Sequence, residues 1–135
     1  MCLRPKSFAC CATAPLFHGS RNSSDSVKGE FLEHANEEQQ HAVWLAERIA
    51  QIGAKPNLNP EGLVTRSHSE YKEGENLIDM IKEDLVAERV AIESYSEIIR
   101  WLGNDDPTTR VLMEQILKME EERANDMSDL LAKMS

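Results

Sequence analysis

Glu38 and His41 stand three residues apart in a stretch, 30–42, that reads as the middle of a helix. Phe31, Ala35, Ala42, Leu45, Ile49 and Ile52 recur around them at three- and four-residue spacing and make one apolar stripe. Glu38 and His41 fall on that stripe, where a core helix ordinarily carries leucine or alanine. A carboxylate and an imidazole taken out of water need a partner, because burying polar or charged groups alone is expensive. At i and i+3 both groups point to one side of the helix, and this donor pair suits iron or manganese. Glu88 and Glu120 hold the same kind of position on two further stripes. Inward carboxylates from several helices plus a Glu-x-x-His pair can build a metal centre inside a helical bundle.

Neighbouring polar residues read differently. Periodicity leaves two readings of Glu88 open: a carboxylate at the edge of its stripe, satisfied by lysine or water, or a bridging metal ligand. His34 shares the broad face of Glu38 and reads as a packed or interfacial histidine, whereas Glu37, one step off the stripe, reads as solvent-facing. Arg123 follows Glu120 by three residues, where a second Glu-x-x-His would place its histidine. A guanidinium is always charged and has no lone pair to offer, so it cannot ligate a cation. It can instead pair with Glu120, Glu88 or Glu38. Tyr95 reads as a core tyrosine, with a redox or hydrogen-bonding role beside the carboxylates as its alternative. Met80, Met113, Met119, Met127 and Met134 read as flexible core filler.

Three long helices must position these groups. The first is expected over about 25–53, with Ser24, Asp25 or Ser26 as cap and Gly53 as stop. Pro56 and Pro60 then forbid helix, and a connection of about twenty residues runs to Gly74, longer than the usual hairpin loop. The second helix is expected over about 75–102, with Leu77, Ile81, Leu85, Glu88, Ile92, Tyr95, Ile99 and Leu102 on its stripe. Gly103 ends it, and Pro107 suits the first turn of a third helix over 107–134. That helix carries Leu112, Ile116, Glu120, Arg123, Met127, Leu130 and Met134 on one line. The fold class expected is all-α, with a tight antiparallel joint after the second helix and a long crossover before it.

Composition excludes several classes. The chain of 135 residues suits one domain, and no apolar run approaches the ~20 residues of a membrane span. A formal net charge of -9 argues against nucleic acid as a partner, since such proteins show a basic face. No phosphate-cradling glycine loop, nucleophile–base–acid triad or Cys-x-x-Cys pair is present. Cys2, Cys10 and Cys11 all lie in the first eleven residues, so the helical body is no disulfide scaffold. Residues 1–26 read as an irregular segment, basic in its first 24 residues, with organelle targeting as an option; otherwise a cytoplasmic place is expected.

Residues 27–134 resemble the ferritin-like superfamily, in its bacterioferritin and Dps-like branch. The stretch Glu38-Gln39-Gln40-His41-Ala42 resembles the Glu-x-x-His of the second bundle helix, and Gly53-Ala54-Lys55-Pro56-Asn57-Leu58 the turn into the crossover. Asp84-Leu85-Val86-Ala87-Glu88-Arg89 resembles the third helix around its metal glutamate, and Glu120-Glu121-Glu122-Arg123 the place of the last Glu-x-x-His. The resemblance implies that Glu38 and Glu120 bridge or flank two irons, that His41 is the nitrogen ligand of one, and that Glu88 is the glutamate of the third helix. Gln39 stands where a haem-binding methionine would follow the glutamate, so no haem is expected. Residues 1–26 hold no glutamate, and no helix like the family's first is recognisable there. Three amphipathic helices alone would leave an apolar groove, which self-association into a homo-oligomer could fill.

The function implied is iron binding by an ancestral di-iron ferroxidase that oxidises Fe(II) with O2 or peroxide for detoxification or storage. Its rival is a non-enzymatic helical protein that kept the fold, lost the chemistry and acts through self-association or partner binding.

Overall fold

The computed structural model describes residues 25–57, 59 and 76–134. Among them are three α-helices: α1 (Asp25–Gln51), α2 (Leu77–Leu102) and α3 (Pro107–Met134). The cysteines, residues 1–24 of the segment expected to be irregular and most of the expected crossover lie outside the described residues, whereas Asp25 and Ser26 of that segment are already helical. The chain divides into two compact units, 1–71 with α1 and 72–135 with α2 and α3.

In the first unit, α1 ends as its glycine requires. Gly53 has a φ of 81°, a region that suits a residue without Cβ. Its N–H donates to the Ala50 carbonyl at 3.0 Å, and the Ala54 N–H donates to the Ile49 carbonyl at 3.0 Å. These two bonds define a Schellman ending, which satisfies carbonyls the helix itself cannot. Ile52 therefore belongs to the turn and is 54% exposed, which corrects its expected place on the stripe. The buried line of α1 runs through Val27, Phe31, His34, His41, Leu45 and Ile49, with Ala35 and Ala42 half-buried at its flanks.

The second unit is a helical hairpin. Asn76 caps α2: its Oδ1 accepts from the Asp79 N–H at 3.0 Å, while its Nδ2 donates to Asp79 Oδ2 at 2.8 Å. The helix starts after that cap, at Leu77. At the other end Gly103, with φ 51°, donates its N–H to the Ile99 carbonyl at 3.1 Å. Asp106 then caps α3, accepting from the Thr109 N–H at 3.0 Å and from the Thr109 hydroxyl. Pro107 opens the helix, where its missing N–H is no loss. Arg110 ties the joint together through Nη1, which donates to the Gly103 carbonyl and to Asn104 Oδ1 at 3.0 Å each. With so short a connection, α2 and α3 pack against each other as antiparallel neighbours.

The hairpin's core is Ile81, Leu85, Ala91, Tyr95 and Leu102 of α2 with Met113, Ile116 and Met127 of α3. Ala91 rather than Ile92 is the innermost residue at mid-helix, and Met113 rather than Leu112 near the start of α3. In both cases two neighbouring apolar residues straddle the line, and a 3.6-residue repeat does not choose between them.

Candidate metal centre

The Glu-x-x-His pair lies on the buried side of α1. Glu38 Oε1 and His41 Nδ1 are 3.6 Å apart, and their side chains are 11% and 2% exposed. That separation exceeds a hydrogen bond, whose N–H···O distance is about 2.7–3.2 Å. Two donors each ~2.1 Å from one ion at tetrahedral or right angles would stand about 3.0–3.4 Å apart, close to what this pair provides. The donor set therefore fits a metal ligand pair. The His41 ring also meets the Trp44 ring, with centroids 5.8 Å apart and planes tilted by 36°. His34 is buried as well, its Nε2 3.9 Å from Glu30 Oε2 one turn earlier. Glu37 is half-buried rather than solvent-facing, because its place beside the stripe gives it partial cover.

The second unit holds the other candidates. Glu88 of α2 is buried, and so are Glu120 and Arg123 of α3. Glu88 does not sit at an exposed edge of its stripe, since only 3% of the residue remains exposed. Glu120 is fully buried. Arg123 Nη1 lies 3.9 Å from Glu88 Oε1. This is too long for a hydrogen bond and short enough for strong charge attraction, about 4 kcal/mol before desolvation at an effective dielectric of ~20. Of the three carboxylate partners that the sequence allows Arg123, Glu88 is the one this ion pair joins to it. Arg123 itself does not fit as a metal ligand. Tyr95 of α2 is buried, which agrees with its reading as a core residue. Half-buried Asp84, four residues before Glu88, adds an acid to that side of α2. Only the i−4 spacing signals it in the sequence.

Inward carboxylates and a Glu-x-x-His pair on long helices are a feature of one large class of helical bundles. Comparison with known proteins gives the same class. The model of the ferritin-like domain matches residues 21–135. The chain belongs to the ferritin-like family, and its fold is that of a ferritin-like helical bundle. Among solved structures it is similar to a dodecameric thioferritin, the bacterioferritin-related protein of Bacteroides fragilis. The two share 31% identity with a TM-score of 0.78, over 86% of this chain and 69% of the other. It is similar in fold to a ferritin-like di-iron-carboxylate protein of Bacillus anthracis str. Ames, with 24% identity, a TM-score of 0.69, and 83% and 76% of the two chains covered. Among curated proteins, none matches the sequence. No helix among the described residues is long and apolar enough to cross a membrane.

Proposed function

We propose that this protein binds Fe(II) through Glu38, His41, Glu88 and Glu120 and oxidises it with O2 or peroxide, as a means of iron detoxification or storage. The observation that carries the reading is the Glu38–His41 pair, two donors side by side on a buried line of α1 that is otherwise largely apolar. Family membership supports it, as does the similarity to a bacterioferritin-related protein.

Each side chain has a distinct task. The carboxylates of Glu38, Glu88 and Glu120 attract the cation and neutralise it. Hard oxygen donors favour the ferric product over Fe(II), which eases loss of the electron. His41 supplies a neutral nitrogen donor and so limits the negative charge gathered in one place. No pocket for an organic substrate is required. Fe(II) added to the protein under air, with ferric absorbance followed in time, should oxidise faster than in buffer. His41→Ala and Glu120→Ala should return the rate to that of buffer. A wild-type rate equal to buffer would remove the enzyme reading.

Buried Arg123 beside Glu88 favours a second reading, a ferritin-like protein whose helices act in self-association without oxidising iron. Both readings include a homo-oligomer, since the Bacteroides protein is a dodecamer. Light scattering at micromolar concentration measures this, and a monomeric mass would contradict it. A cytoplasmic place, or an organelle if residues 1–26 act as a targeting segment, goes with either reading and is tested by imaging a C-terminally tagged protein.

A further inference from the structure

We infer that Arg123 stands in for one of two metal ions, so that the ligand set proposed above holds a single divalent cation. This rests on the metal-binding reading and adds a stoichiometry to it. Arg123 is 2% exposed, three residues after Glu120 on α3, with Nη1 3.9 Å from Glu88 Oε1. A guanidinium stays protonated at any pH a protein tolerates, and it offers only N–H donors. It therefore brings a fixed positive charge to Glu88 and no ligand atom. A metal ion bonded to the same Glu88 oxygen at ~2.1 Å would stand at most about 6 Å from Nη1 of that guanidinium. Buried like charges at such a distance are screened far less than exposed ones.

Charge balance leads to the same number. The ligand set has three carboxylates, Glu38, Glu88 and Glu120, and Arg123 cancels one of their charges. What remains matches one divalent ion. Two divalent ions together with the guanidinium would leave the centre strongly positive among buried side chains, where charge is costly. A histidine in place of Arg123 would remove the fixed charge and add a nitrogen donor, which restores the conditions for a second ion.

Equilibrium dialysis of the full chain against Co(II), and against Fe(II) without oxygen, measures the count directly. Wild type should saturate at one tight equivalent per chain, Arg123→Lys at one, and Arg123→His at two, with helical content checked by circular dichroism. Saturation of wild type at two equivalents would overturn the inference and leave the metal-binding reading standing. So would an Arg123→His variant that folds and still binds one. No tight binding at all would instead overturn the metal-binding reading, and this inference with it. If Arg123→His fails to fold, the wild-type count still decides between one ion and two.

Discussion

Arg123 of α3 and Glu88 of α2 bring opposite charges within 3.9 Å of each other, with both side chains more than nine-tenths buried. The pair joins the two helices of the hairpin through Glu88, itself a candidate ligand. Breaking a buried pair by removing one partner leaves the other charge in a poor solvent. Glu88→Ala should therefore destabilise the metal-free protein by about 3 kcal/mol, the lower end of what such truncations cost. Chemical denaturation measures this. A loss below ~1 kcal/mol, the scale of an exposed pair, would show that Glu88 is not an important counter-charge for Arg123.

Metal should stabilise the folded chain, because the unfolded chain has no assembled donor set. Co(II) at a hundred times its Kd should add about 2.7 kcal/mol to the unfolding free energy. His41→Ala should abolish that gain while leaving the metal-free protein folded. Thermal melts with and without Co(II) compare the two. An equal gain in wild type and variant would place the metal away from His41.

Gly103→Ala isolates a backbone effect. A Cβ at Gly103 would meet nothing within 4 Å, yet its φ of 51° with ψ of -123° is a conformation that residues with a Cβ avoid. The expected loss is about 1–3 kcal/mol, all of it conformational strain. A neutral result in denaturation would mean that the joint between α2 and α3 relaxes to another turn.

Asp106→Ala removes the two carboxylate oxygens at the start of α3, Oδ1 that accepts from the Thr109 N–H and Oδ2 that accepts from its hydroxyl. The loss should be about 1 kcal/mol, the usual cost of an N-cap. Glu120 and Arg123 lie more than three turns further along α3, so metal binding per folded molecule should not change. Denaturation and dialysis on the same preparation test both halves.

Why some of this was legible in the sequence and some was not follows from particular residues. Gly53, Gly103 and Pro107 punctuate the chain through backbone chemistry that acts locally, so helix ends could be read to within two residues. Asn76 does not stand out as a cap in the sequence, because Gly74 and Glu75 offer an equally plausible boundary. The inward setting of Glu88, Glu120 and Arg123 was legible because each interrupts an apolar repeat, and such a repeat fixes which side of a helix is buried. Periodicity resolves a face and not a residue, which is why Ala91 and Met113 displace Ile92 and Leu112 at the centre of the core. The ion pair of Arg123 with Glu88 depends on which residues of two helices come level. Spacing along one helix carries no information about that.

Whether Glu38, His41, Glu88 and Glu120 hold a metal is answered most directly by anomalous diffraction from crystals grown with Co(II). The expected result is a peak within bonding distance of the His41 ring and of a Glu38 oxygen, with carboxylates of Glu88 or Glu120 completing its ligands. Peaks confined to the acidic surface, with none at His41, would contradict the proposed function at its root.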